Sequence, residues 1–299
     1  MSQINSCYGA IEAGGTKFIC AIGDETGQIL DEARIDTGEP ATTLARVILY
    51  FIAAKPGFGT LRAVGVGSFG PLDLRPVSPT FGYITTTPKP GWAQTDLLGT
   101  LRRGLGRPVY LDTDVNAAAL AERRWGAGRQ LESLAYVTVG TGIGGGILHR
   151  GRPIHGLMHP EIGHIFVRRH PADSDFAGIC PFHGDCLEGL ASGPAIVARL
   201  GHSLNEARPD DLMWDIEADY LGQLCAQLVL MHSPQRILMG GGVMQQERLL
   251  VGIRERMRHW LGGCVALAEL ADPYYLCAPG LGISAGIKGA LAVALDAGG

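Results

Sequence analysis

The stretch YGAIEAGGTKFICAIGDETGQILDEARI, residues 8–35, decides the fold. Two short apolar runs, YGAIEAG and KFICAIG, flank the pair Gly14-Gly15; DETG supplies a turn, and QILDEARI resumes the extended pattern. Apolar runs of this length, broken by glycine-bearing turns, predict three antiparallel strands. A helix is expected next in ATTLARVILYFIAAK, where apolar residues recur at helical spacing until Pro56-Gly57 ends the run. RAVGVGSFGP reads as a strand ending in a glycine turn. After the Thr- and Pro-rich loop TTTPKPGW come a helix through TDLLGTLRRGLG, the strand PVYLDTD and a helix beginning at Asn116.

That order, βββαβα, is one half of an actin-like nucleotide-binding unit. A second half starts over with LAYVTVG, a glycine turn, the strand GGGILHR and a further strand near HIFVRR. The two glycine turns lie about 126 residues apart at the same place in the strand pattern, which predicts an internal structural repeat. A long insertion at about 168–187 is followed by helices in LEGLASGPAIVARLG and DDLMWDIEADYLGQLCAQLVLMHS. The strand QRILMGGGV, the helix QERLLVGIRERMRHWLG, the strand YYLCA and a last helix in ISAGIKGALAVAL complete the pattern. The expected architecture is α/β, with two lobes and a cleft between them: residues 1–112, completed by 283–299, and residues 113–282.

At 299 residues the chain is long enough for two domains with full cores. A net charge of −4, with no Lys/Arg block longer than two, gives no field for a phosphate backbone, so nucleic acid is not expected as a partner. MSQINSCYGA lacks a basic and then apolar leader, and runs such as VILYFIAA fall short of the roughly 20 residues that span a bilayer. A soluble, cytoplasmic protein without a membrane partner is the expectation. Seven cysteines are an odd number, and Cys7, Cys20, Cys225, Cys264 and Cys277 are scattered in apolar contexts, which predicts reduced and mostly buried thiols.

Chemistry concentrates in two kinds of motif. IEAGGTK, VTVGTGIGGG and LMGGGVM each put glycine at the end of an apolar strand, where bare backbone can present N–H groups to an anion. Gly140, Gly142 and Gly145 match G-x-G-x-x-G, but the following residues continue as a strand, so a dinucleotide fold is disfavoured; no P-loop motif occurs. The second motif is CPFHGDC. Cys180, His183 and Cys186 supply three ligands of the types and spacing that zinc favours, with a fourth available among His155, His159, His164 and His170.

In this order and spacing, IEAGGTK, TTTPKPGW, LDTDVNAAALAE, VTVGTGIGGG, HPEIGH, CPFHGDCLEGLASGPA and LMGGGV resemble the ROK family of sugar kinases, specifically its bacterial fructokinase branch. The resemblance implies an actin-like (ribonuclease H-like) two-lobe sugar kinase fold with a zinc-binding insertion at about 164–188. It implies transfer of the ATP γ-phosphoryl group to fructose with Mg²⁺, and a homodimer. It further implies that Asp114 is the general base and that Thr113, Asp114, Glu161, His164 and Glu188 bind sugar. The nucleotide side is carried over onto Gly14, Gly15, Thr16, Lys17, Thr141, Gly142, Pro194, Gly240, Gly241 and Gly242.

A sugar hydroxyl needs a carboxylate to take its proton as it attacks, and Asp114, at the end of a strand, suits that task. Its competing role is the N-cap of the helix that follows. Family members usually carry Asn at the position of Thr113 and Asp at that of Glu12, so both contacts differ here; Glu12 is expected to reach Mg²⁺ through water. The family pattern selects His164 as fourth zinc ligand, and His183 stands where most relatives have a third cysteine. Four protein ligands leave no open position, so the zinc is read as a structural brace beneath the sugar pocket, on which the nucleotide side is not expected to depend. Kinases for glucose, mannose or N-acetylated hexosamines share the pattern. ROK-type sugar sensors also share it, but they carry a helix-turn-helix domain before the first strand, where this chain has seven residues ahead of Tyr8.

Overall fold

A computed structural model describes residues 6–53 and 58–297. The chain forms two compact units, one of residues 1–129, 152–159 and 283–299, the other of 130–151 and 160–282.

In the first unit, β1 (Ser6–Ala13) pairs antiparallel with β2 (Lys17–Gly23), Ala13 facing Phe18 across the glycine turn, and β2 pairs antiparallel with β3 (Ile29–Asp36). On its other edge β1 runs parallel to β4 (Thr60–Ser68), and β4 parallel to β5 (Val109–Thr113). Alternation along β1 divides the sheet's two faces. Cys7, Ile11 and Ala13 join Phe18, Leu44, Val47, Phe51 and Trp92 in one core, while Ala10 faces Ala290 and Leu291 of the chain's last helix, Ala285–Ala297.

Helix α1 (Pro40–Ile52) buries Leu44, Val47 and Phe51, the periodic face, with Pro40 in its first turn. The expected stop at Pro56-Gly57 lies outside the described residues. Helix α2 (Leu97–Leu105) is capped by Asp96, whose Oδ1 accepts the Gly99 amide at 2.8 Å, and ends at left-handed Gly106. The TTTPKPGW loop is pinned at its end by Trp92, which is fully buried 5.3 Å from the Phe18 ring and donates its indole N–H to Gly38 O at 3.0 Å.

The second unit repeats the start of this plan. β6 (Leu134–Val139) pairs antiparallel with β7 (Ile143–His149) and parallel with β8 (Arg236–Gly240), which runs parallel to β9 (Leu276–Cys277). The strand expected near HIFVRR does not form. Its main-chain groups are satisfied elsewhere: Gln223 accepts from Arg168 N at 2.7 Å and donates to Arg168 O at 2.9 Å, and Ile165 O accepts from Leu187 N at 2.9 Å. One expected helix is two, α4 (Leu187–Ala191) and α5 (Gly193–Leu200), because Pro194 lacks the N–H a helix interior requires and Ser192 caps a new start. Helices α6 (Met213–His232) and α7 (Glu247–Leu261) complete the unit, α6 buried on nearly every side. No described helix is long and apolar enough to cross a membrane. No disulfide forms among the described residues; Cys7, Cys20 and Cys225 are buried as expected, whereas Cys264 is exposed.

Candidate active site and metal centre

The sequence-predicted residues fall into one set in each unit. In the first, the register places Ala13, Ser68 and Thr113 side by side at the carboxyl ends of β1, β4 and β5, where open α/β sheets bind ligands. Helix α3 (Asp114–Trp125) starts two residues before the expected Asn116. Thr113 caps it, its hydroxyl oxygen accepting the Asn116 amide at 3.1 Å. The cap is therefore not Asp114, whose Oδ1 accepts Val115 N at 2.9 Å and whose side chain stays exposed. Dense protein around that open carboxyl still limits its hydration, and desolvation pushes it up to about 6. Glu12 is half-buried; desolvation raises it, with help from the charges of Asp114 and Glu32 and against the pull of Lys17. The β1–β2 turn is closed by Gly14 N donating to Lys17 O at 2.9 Å and tied down by the Thr37 hydroxyl, which donates to Gly14 O at 2.8 Å. Gly15 faces open space, and Thr16 and Lys17 are exposed.

A network centred on the buried carboxylate of Asp112 escaped the sequence reading. Asp112 Oδ1 accepts from Thr113 N at 2.8 Å and from Asn116 Nδ2 at 2.7 Å, and His155 Nε2 lies 3.1 Å away. That carboxylate holds His155 above the usual histidine range against the opposing effect of burial. The Asp112-x-x-x-Asn116 spacing was visible; its partner 39 residues onward was not.

In the second unit the two other glycine clusters converge. The strand β7 follows Gly140–Gly142 directly, which rules out the dinucleotide-type helix. Gly193 N donates to Gly140 O at 2.8 Å, and Thr138 of β6 faces Gly240 of β8, so the 140–142 turn, Gly193-Pro194 and 240–242 share the carboxyl end of the sheet. Thr141, Pro194, Gly241 and Gly242 are exposed there. Glu188, the second residue of α4, reaches the same turn: its Oε2 accepts Ile143 N at 2.9 Å. Glu161 is exposed and its carbonyl accepts His164 N, closing a 3-10 turn over Ile162–His164.

The heptapeptide closes on itself through paired bonds between Cys180 and Gly184, and its side chains meet His164. One donor atom from each of His164, Cys180, His183 and Cys186 lies within 4.8 Å of the others. His164 Nδ1 is 3.5 Å from Cys186 Sγ and 3.8 Å from Cys180 Sγ, and Cys180 Sγ is 3.7 Å from His183 Nδ1. A tetrahedron with zinc–ligand bonds of about 2.0–2.3 Å has edges of roughly 3.3–3.8 Å, so the donor set fits that ion. Desolvation pushes the Cys186 thiol up to about 11 although the Gly189 and Glu188 amides favour its ionised form. The other histidines are engaged elsewhere: His155 with Asp112, His159 Nε2 accepting Leu72 N at 3.1 Å, and His170 capping a turn beside Asp215. The insertion's first half has a separate anchor. Asp173 accepts from Arg199 at 2.8 and 2.7 Å and from the Tyr220 hydroxyl at 2.7 Å.

Two α/β units, each with glycine turns at its strand ends, and a carboxylate freed from capping make a mixed α/β protein, and comparison with known proteins places it in the sugar kinase class. A model of the ROK family matches residues 8–297, and the chain belongs to that family. It is 44% identical to a fructokinase of Zymomonas mobilis, over 99% of both chains, and 43% identical to a fructokinase of Pediococcus pentosaceus, over 96% of both. A ROK family glucokinase from Streptomyces griseus, solved with glucose and AMPPNP, superposes with a TM-score of 0.73 at 25% identity, over 97% of this chain and 99% of that one.

Proposed function

We propose that this chain is an ATP-dependent fructokinase that makes fructose 6-phosphate. The observation that carries this reading is identity above 40% with two fructokinases along nearly their whole length, against 25% with the glucokinase. In the reaction the 6-hydroxyl oxygen attacks the γ-phosphorus and its proton passes to Asp114; the O–P bond to the sugar forms as the β–γ bridge breaks, and ADP leaves. Asp114 suits the role because its raised carboxyl holds a proton more readily than an ordinary aspartate, while at neutral pH it starts ionised. The exposed Thr16 and Lys17, with half-buried Gly15, in the first unit and the exposed Thr141, Pro194, Gly241 and Gly242, with half-buried Gly142, in the second offer contacts to the nucleotide, with buried Gly240 leading into its turn. Glu161, His164 and Glu188 take sugar hydroxyls. Thr113 is left to act through its cap.

Magnesium bound with the nucleotide would offset phosphate charge, and Glu12, whose carboxyl already feels that of Asp114, would hold it through water. Zinc is the ion we assign to His164, Cys180, His183 and Cys186. It would be structural, since four protein ligands leave no position for a substrate, and ligation through Nδ1 leaves His164 Nε2 for the sugar. The two lobes are taken as the two units, with α3 in the first. A cytoplasmic homodimer is the corresponding assembly. An ADP-release assay across a panel of hexoses tests the function: the highest kcat/KM is expected for fructose, and a higher value for glucose, mannose or N-acetylglucosamine would overturn it.

A further inference from the structure

The glycine turn 140–142 is gripped from three sides within its unit. Glu188 Oε2 accepts Ile143 N at 2.9 Å and sits so close that a Cβ on Gly142 would lie 2.6 Å from it. Gly163, beside the metal ligand His164, packs under the first residue of β7, where a Cβ would fall 2.1 Å from Ile143 O. Gly193 closes the third side through Gly140 O. The N–H of Ile143 is thus bonded, and its carbonyl closely packed, by residues next to the Cys/His cluster: Gly163 adjoins His164, and Glu188 follows Cys186 by two. The Oε1 atom of Glu188 carries no hydrogen bond among the described residues.

We propose that Glu188 is a positioning residue for the 140–143 turn, one carboxylate whose Oε2 fixes the turn that meets the nucleotide while its Oε1 serves the sugar. This rests on the reading of the turn as phosphate-binding and of Glu188 as a sugar contact. A charge-assisted bond to a main-chain amide is strong and directional, so it fixes where the neighbouring turn amides point before any ligand arrives. Because the same side chain meets the sugar and holds the turn that meets the nucleotide, sugar affinity and nucleotide affinity become linked in both directions. On this proposal the nucleotide side depends on a residue beside the zinc loop, against the expectation that the two are independent.

The test is calorimetric titration of Mg-AMPPNP without sugar, and of fructose without nucleotide, for the wild type, Glu188→Gln, Glu188→Ala and Gly142→Ala. A glutamine keeps an oxygen for Ile143 N but turns an amide toward the sugar, so Glu188→Gln should lose about tenfold or more in fructose affinity and keep AMPPNP affinity within about twofold. Glu188→Ala should lose about tenfold for both ligands. Gly142→Ala, whose backbone geometry accepts alanine, should displace Glu188 and weaken fructose about fivefold although it lies in the nucleotide turn. Wild-type AMPPNP affinity in Glu188→Ala, or wild-type fructose affinity in Gly142→Ala, would overturn the proposal. If the wild type binds AMPPNP but prefers another hexose, the fructose assignment alone fails. The nucleotide titrations of Glu188→Ala and Glu188→Gln, one rescued by the amide and the other not, still decide the coupling.

Discussion

The two glycine turns, Gly14–Lys17 and Gly140–Gly142, occupy the same place in the same strand pattern, yet they are held by different physics. The first leans on the core. Trp92 is fully buried and bonds Gly38 O, next to Thr37, whose hydroxyl ties Gly14 O; Gly15 beyond it is open. The second leans on polar groups beside a Cys/His cluster, with Glu188 on Ile143 N and Gly163 under Ile143 O. An apolar brace draws on burial that folding supplies anyway, whereas a metal-centred brace adds order only where the ion is bound. On the proposed zinc reading, a repeated fold holds one turn through its core and the other through a site that needs its ion.

The sharpest probe removes the chemistry and leaves both braces. Asp114→Asn is expected to lower kcat by at least about 10²-fold with AMPPNP affinity unchanged, because the cap belongs to Thr113. The wild-type acid limb should follow the same group: kcat falls as pH drops through about 6. The stability sign is opposite to that of an ordinary salt-bridged aspartate. A folded pKa above the unfolded one means the folded state binds the proton more tightly, so this group favours folding at low pH and its contribution is lost as pH rises through about 6. Asp114→Asn should therefore melt at or above the wild-type temperature at pH 8, and a lower Tm there would show that the carboxylate supports the fold.

Breaking each brace separately comes next. Trp92→Ala should cost about 3–5 kcal/mol in denaturant unfolding, the range for a deleted core aromatic, and leave zinc content intact. Cys186→Ser should instead lose the metal, read by elemental analysis, and about tenfold in fructose affinity, while the Asp173–Arg199–Tyr220 anchor keeps residues 168–176 in place. Digestion confined to 178–187 in that variant is the expected protease pattern; cleavage throughout the insertion would contradict the two-anchor account. The smallest effect is that of Thr113→Ala, about 1 kcal/mol from the lost cap.

The three-stranded start, the glycine turns and the Cys/His loop were legible because each is local: apolar runs, turn residues and ligand spacing lie within one short segment. The strand assigned near HIFVRR was misread because its alternation was real but its hydrogen bonds go to Gln223 and to the start of α4, far along the chain. The single helix over 187–200 had its break in plain view at Ser192-Gly193-Pro194, a cap followed by proline. Whether Asp114 caps α3 was open in the sequence; the bond from Asn116 N to the Thr113 hydroxyl settles it. The Asp112–His155 and Glu188–Ile143 contacts span 43 and 45 positions, and no local pattern announces either.

The difference between the turns is read most directly by hydrogen exchange, residue by residue, before and after chelation of the metal. Ile143 N–H, bonded to Glu188, should be protected in the loaded protein and exchange at least about tenfold faster once the ion is removed, while protection across Gly14–Phe18 stays constant. Unchanged protection at Ile143, or equal loss at both turns, would contradict a metal-dependent brace on the second turn alone.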